Sequence, residues 1–150
     1  MVVYFHSPDG TWGAFSNFAP FGFEFQGVYW PTAEHFFQAQ KFKGTEYAKR
    51  IRKARTPREA AALGRNRDCE LRPDWEEVKV CVMRQAVLMK FQAHAKLREL
   101  LLATGDEEIV ESPGDPFWGS GADGRGANML GRILMDVRGV LCGDPDRSEP

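Results

Sequence analysis

Glu34, Gln38 and Lys41 stand at offsets of four and seven, so at about 100° per residue they fall on one narrow stripe of a helix. That stripe offers a carboxylate to move protons, an amide to orient, and an amine that becomes a nucleophile once neutral. Ala33, Phe36, Phe37 and Phe42 occupy the flanks on both sides. Polar groups between aromatic walls are costly to bury unless they face a partner or a ligand. A plainer reading has Glu34 answering the helix dipole and Lys41 capping a neighbour. Pro31 and Thr32 mark the start of this helix, with Thr32 as its N-cap.

Other residues carry chemistry less specifically. The segment Gly119–Gly126 leads directly into a helix begun by Asn128 or its neighbour. A helix start aims free N–H groups at one point and favours anions such as phosphate, although many such loops merely turn the chain. The segment does not have the spacing of a P-loop or a dinucleotide fingerprint. Asp115 and Trp118 lie just ahead of it, either presenting both side chains to a cleft or serving as turn residue and core anchor. Trp75, in the first turn of a long helix, either packs or stacks on a flat base. Arg72 before Pro73 is placed to reach a phosphate or pair with an acid. Asn17, between Phe15 and Phe18, either orients a ligand or caps a turn.

The elements that must position these groups are mostly helical. Val2–Phe5 and the alternating Phe21, Phe23 and Phe25 have strand character, and Gln26-Gly27 turns the latter into Val28–Trp30 as a hairpin. The signature helix follows, then Thr45–Ala54. Thr56-Pro57-Arg58-Glu59 is a capping box with proline at the first helical position, opening a short helix to about Leu63. Asp74 opens the longest helix, through about Phe91, with Val78, Val82, Val87, Leu88 and Phe91 spaced for burial. Lys96–Ala103 is another helix, stopped near Gly105. Ile109-Val110 is a brief extended segment, residues 112–127 are a loop, and a last helix runs to about Val140. The expected fold is mainly α: a compact single helical domain over residues 1–143 with a small N-terminal antiparallel β element. Residues 144–150 form a proline-rich, charged, flexible tail.

Composition sets outer limits. The 150 residues are 43% hydrophobic and 12% aromatic, enough for one core without staples. No apolar run approaches a membrane span and the N-terminus lacks a signal-peptide layout, so no membrane partner is expected. Cys69, Cys81 and Cys142 are odd in number and widely spaced, which argues against a disulfide framework and against zinc. With His6, His35 and His94 they form no metal-ligand spacing. A reducing cytoplasm fits, and neither metal nor cofactor is called for. The formal net charge of −1 argues against bulk nucleic-acid binding. Yet Lys49, Arg50, Arg52, Lys53, Arg55, Arg58, Arg65 and Arg67 face only Glu46 and Glu59 over one stretch. That stretch is either a solvated helix face or a field for a phosphate-bearing ligand.

Glu34-His35-Phe36-Phe37-Gln38-Ala39-Gln40-Lys41-Phe42 resembles the signature of the NADAR (YbiA-like) family of N-glycosidases. Phe15-Ser16-Asn17-Phe18, Arg72-Pro73-Asp74-Trp75, Leu101–Gly105, Ile109-Val110-Glu111, Asp115–Gly121, Gly126–Gly131 and Leu134–Arg138 follow the family's pattern in the family's order. The resemblance thus runs from about Tyr4 to Arg138. It implies hydrolysis of the C–N bond between ribose C1 and an exocyclic amine of a base. The substrates it implies are ribosylamino-pyrimidine phosphates of riboflavin synthesis or ADP-ribose attached to guanine, with nucleic acid entering only as a substrate carrier. It places Lys41 as an imine-forming amine and Glu34 as general acid/base. A competing route without a covalent step pairs Glu34 with Asp115. Asn17, Phe18, Gln38, Arg72, Trp75, Trp118, Gly119, Gly121 and Asn128 are the expected substrate-binding residues. Two other functions stay open: a nucleotide or ADP-ribose binding module without turnover, and a protein-interaction domain working through residues 49–67.

Overall fold

A computed structural model of the chain describes residues 1–143; the expected tail at 144–150 lies outside them. The described chain forms two compact units, one of residues 17–93 and one of residues 1–16 together with those from 94 onward.

The unit of residues 17–93 holds the hairpin and four helices. Strands β1 (Val2–Phe5) and β4 (Glu108–Glu111) belong to the other unit; here β2 (Phe23–Phe25) pairs antiparallel with β3 (Val28–Trp30). The two turn residues, Gln26 at φ 51° and Gly27 at φ 78°, both lie in the left-handed region that a two-residue hairpin turn requires. Helix α1 (Ala33–Gln40) follows, then α2 (Glu46–Arg52), α3 (Pro57–Gly64) and α4 (Trp75–Ala93). Thr32, Thr45 and Thr56 each accept an N–H bond from the third residue on, so the expected caps at Thr32 and Thr56 form and Thr45 caps α2 in the same way. The box at Thr56 closes differently from expectation: the Glu59 carboxylate takes the N–H of Arg55 rather than that of Thr56. Asp74 opens α4, but its carboxylate is held by Arg72.

Phe36 anchors α1. It is fully buried, with Phe23, Phe25 and Trp30 edge-on at 5.7, 5.5 and 5.3 Å. Burying such a ring contributes about 1.5–3 kcal/mol and fixes the hairpin against one side of the helix. Seven of the eight α1 residues, Ala33 to Ala39, are buried. A short helix enclosed on nearly every side should be apolar throughout, so its three buried polar members, Glu34, His35 and Gln38, stand out.

The other unit pairs β1 with β4 in parallel, Val2 opposite Glu108 and Phe5 opposite Glu111. Helices α5 (Ala95–Ala103) and α6 (Met129–Cys142) belong with it. Leu97, Leu101, Ile109, Leu130, Ile133, Leu134 and Val137 are among its buried apolar residues. Arg138 fastens the turn after α5, donating to Thr104 Oγ1 at 2.9 Å and to the Glu107 carbonyl at 2.7 Å.

Helices dominate, as expected. The β structure departs from expectation: two separate two-stranded sheets exist among the described residues, and only β2–β3 is antiparallel. The N-terminal strand instead joins a partner far along the chain, and such non-local pairing leaves no local trace in composition or turn chemistry. Among the described residues no helix is long and apolar enough to cross a membrane.

Candidate active site

Glu34, Gln38 and Lys41 do share one face of α1, and all three are buried. Gln38 Nε2 donates to Glu34 Oε1 at 2.7 Å, a contact that the four-residue spacing allows. Lys41 is the C-cap residue, still in right-handed helical conformation, so the stripe continues unbroken to its side chain. Its ammonium nitrogen lies 5.8 Å from the centre of the Phe37 ring and 5.9 Å from that of Trp75. These two rings pack together at 5.1 Å and form an aromatic wall. Lys41 Nζ donates to the Gly64 carbonyl at 3.4 Å. Lys41 and Glu34 make no direct ion pair among the described residues.

Burial moves both titratable groups toward their neutral forms. Desolvation raises the Glu34 carboxyl above its ordinary value, against the opposing pull of the Gln38 bond, Lys41 and Arg65. Desolvation also lowers Lys41, to about 8, helped by the cationic Arg67 and Arg65 and opposed by Glu34. At neutral pH, then, a usable fraction of Lys41, about a tenth, carries a free lone pair. An acid held up and an amine held down, on one helical face, is the pattern of a proton-transfer group beside a nucleophile.

Backbone contacts fix the two ends of α1. The Asn17 carbonyl accepts the N–H of Glu34 at 3.2 Å, and the Lys41 carbonyl accepts the N–H of Arg72 at 2.9 Å. Asn17 is itself buried; its Nδ2 donates to Met83 Sδ at 3.2 Å, while its Oδ1 has no hydrogen-bond partner. Arg72 grips the Asp74 carboxylate with two bonds of 2.6 and 3.0 Å, so it pairs with an acid. Phe18 is half-buried in the same unit. Trp75 is buried, packed against Phe37 and beside the amine.

His35 and Gly64 at this site were not singled out from the sequence, and Arg65 and Arg67 were named only within the basic stretch. His35 Nε2 faces the Ala54 carbonyl at 3.0 Å, which requires the ring proton there; Nδ1 therefore accepts from Thr32 Oγ1 at 2.7 Å. That arrangement fixes the first turn of α1 and the tautomer together, and burial lowers the imidazole's affinity for a second proton. Gly64 ends α3 against the stripe. Arg65 and Arg67 follow it; Arg67 Nη1 donates to the Gly64 carbonyl at 3.1 Å, and the charges of both act on Lys41. A glycine ending a capped helix looks like an ordinary C-terminus, and the two arginines blend into the basic stretch, so no spacing signal marks them.

The remaining expected residues belong to the other unit. Asp115 is exposed, and its Oδ1 accepts the N–H groups of Phe117 at 2.7 Å and Trp118 at 2.6 Å, the arrangement of a turn residue. Trp118 is half-buried and edge-on to Phe117 at 4.8 Å. The N–H groups of Gly119 and Gly121 go to the carbonyls of Asp115 and Pro113. At the start of α6, the N–H groups of Met129 and Leu130 go to the carbonyls of Phe117 and Trp118, at 3.0 and 2.9 Å. Those donors, on which an anion would depend, are already committed. Asn128, in left-handed conformation at φ 50°, takes the N–H of Glu111 on Oδ1 and gives Nδ2 to the Ile109 carbonyl. Its amide ties β4 to α6.

A family model described as the NADAR domain matches residues 4–142. An N-glycosidase of Nostoc punctiforme is 53% identical over 142 residues, covering 92% of this chain and 91% of that protein. A riboflavin biosynthesis protein of Vibrio vulnificus is 43% identical over 140 residues, which are 93% of this chain and 38% of that protein. The NMR structure of the E. coli protein YbiA aligns with a TM-score of 0.88 at 44% identity, covering 99% of this chain and 88% of that one.

Proposed function

The chain belongs to the NADAR domain family, and from that premise we propose that it hydrolyses the bond between ribose C1 and an exocyclic amine of a base, through an imine on Lys41. It is a hydrolase acting on N-glycosyl bonds, the level at which its N-glycosidase relative agrees with the family. The preferred substrate is a phosphorylated ribosylamine of a pyrimidine, in keeping with the riboflavin biosynthesis relative; ADP-ribosyl-guanine, free or carried on nucleic acid, offers the same bond. The observation that carries this reading is the buried Lys41 amine, lowered to about 8 against an aromatic wall, on the same helical face as a carboxyl that burial raises.

A ribosylamine opens its sugar ring to an imine at C1. Neutral Lys41 adds its lone pair to that carbon, forming a C1–Nζ bond beside the original C1–N bond. Protonated Glu34 gives its proton to the departing amine as the original bond breaks, leaving the sugar as a protonated imine on Lys41. The Glu34 carboxylate then takes a proton from water as the oxygen adds to C1. Collapse breaks the C1–Nζ bond and returns a free sugar, a free amine and a protonated Glu34. Gln38 orients the Glu34 carboxyl, and Trp75 with Phe37 excludes water from the amine. Arg65 and Arg67 supply the field for the substrate's phosphate. Asp115 shapes the glycine-rich loop in this scheme; the non-covalent route would instead require its carboxylate to act with Glu34.

Borohydride trapping tests the covalent step. Added during turnover, it should reduce the imine to a stable amine, leaving the protein heavier by the sugar fragment on the peptide containing Lys41. Lys41→Arg keeps a positive charge without a nitrogen that deprotonates, and should be inactive. No trapped adduct, together with turnover by Lys41→Arg, would move the chemistry to the carboxylates.

A further inference from the structure

Gly64 lies in the last turn of α3, in a conformation any residue adopts, yet a side chain there has no room. A methyl group built on it would overlap Gln38 Oε1 and stand 2.6 Å from Gln38 Cδ and 3.1 Å from Gln38 Cβ. The Gln38 carboxamide thus occupies the space that a glycine leaves empty. One end of that carboxamide is used, Nε2 on Glu34 at 2.7 Å. The other end, Oε1, is buried with no hydrogen-bond partner. A buried carbonyl without a donor weakens a fold, so stability alone does not account for holding the amide there. Meanwhile the Gly64 carbonyl accepts from Lys41 Nζ at 3.4 Å and from Arg67 Nη1 at 3.1 Å. One residue without a side chain therefore touches the amide that orients the acid and the amine that attacks.

We infer that Gly64 is a positioning residue: its missing side chain makes the slot that holds the Gln38 carboxamide on Glu34 while its carbonyl holds Lys41. The inference rests on the proposed roles of Glu34 and Lys41. It assigns the glycine to the chemistry rather than to chain flexibility, since its backbone is ordinary helix. Alanine is the better helix former by roughly 1 kcal/mol, so Gly64→Ala should keep its melting temperature. What it should lose is the amide's place, because the end of a flexible side chain yields before the backbone does.

A double-mutant cycle on the intact protein decides it. Gly64→Ala should lower kcat at least about tenfold with little change in KM, as should Gln38→Ala alone. In the Gln38→Ala background, where the carboxamide is gone, adding Gly64→Ala should cost less than about twofold. Should Gly64→Ala fold only when Gln38 is truncated, the glycine serves the packing of the fold and the inference is overturned. Wild-type kcat in Gly64→Ala, or in Gln38→Ala, overturns the inference, as does an equal loss from Gly64→Ala in both backgrounds. Glu34→Gln separates the two levels: if it is inactive while Gly64→Ala is not, only this inference fails. If Glu34→Gln turns over normally, the reading of the site fails and takes this one with it.

Discussion

The α1 stripe and the glycine-rich loop before α6 both offer polar groups that could do chemistry, the loop less specifically, and they resolve in opposite ways. In the loop, polar groups satisfy one another: Asp115 takes two N–H groups, Asn128 uses both ends of its amide, and the first donors of α6 meet carbonyls of residues 117 and 118. In the stripe and beside it, polar groups are buried and left incomplete. Gln38 Oε1 and Asn17 Oδ1 lack partners, and Glu34 and Lys41 are driven toward neutrality. A folded chain completes its buried polar groups wherever nothing else demands otherwise. Incomplete ones on a buried helix leave acceptors that a ligand could complete, whereas satisfied ones do not.

The largest effect that comparison predicts is on Glu34. Glu34→Gln preserves length and can still accept from Gln38, but it cannot shuttle a proton. Turnover should fall at least about a hundredfold. The melting temperature should hold or rise, because a carboxyl whose folded pKa is raised costs stability above its unfolded value, and the amide removes that cost. The pH profile sharpens the test. Wild-type kcat should fall on both sides of the pH at which Lys41 is neutral while Glu34 still holds its proton, a bell whose two limbs belong to the pair. Near-wild-type turnover by Glu34→Gln would break the comparison at its strongest point. Lys41 has the opposite stability sign to that of a salt-bridged lysine. Its folded value of about 8 lies below the ordinary 10.5, so its burial cost is full below about 8 and is returned as pH rises through that interval.

How much of this was legible follows from the range of the interactions. Thr32, Thr45 and Thr56 are caps because a cap is a matter of a few consecutive residues, and the stripe spans only two turns. The hairpin at Gln26-Gly27 is equally local. The parallel pairing of β1 with β4 is not, and it escaped. So did Gly64, whose meaning depends on α3 lying against α1. Helical spacing placed Val82, Val87 and Phe91 in the core correctly; it could not show that Lys90 lies buried beside them, with its ammonium lowered to about 7 by burial. Spacing in residues 119–126 does not show that the loop's own carbonyls compete for the donors of the helix that follows.

If the loop is scaffold, a phosphate on the proposed substrate would have to be met elsewhere, and the basic residues after Gly64 are the candidates. Arg65 and Arg67 are exposed, and their charges reach the buried amine. Replacing both by alanine should raise KM for a phosphorylated ribosylamine about tenfold while leaving KM for its dephosphorylated counterpart unchanged. Because Arg67 also helps lower Lys41, the pH profile should move upward in the same variant. A KM that rises equally for both substrates would assign the arginines to the fold rather than to the phosphate.

The smallest effect should come from Asp115→Asn, and its smallness is the point. Asparagine keeps the side-chain oxygen that accepts from Phe117 and Trp118, so the turn survives, while the titrating carboxyl is removed. Under the imine route, kcat should change by less than about threefold, and the pH profile should keep its shape. The non-covalent route makes the opposite demand, because there Asp115 must hold a charge or activate water together with Glu34. A loss on the order of a hundredfold in Asp115→Asn, with the melting temperature intact, would show that a carboxylate can serve a turn and a reaction at once. Satisfaction of one oxygen would then no longer identify a scaffold residue, since the second oxygen of the same carboxylate remains for the substrate.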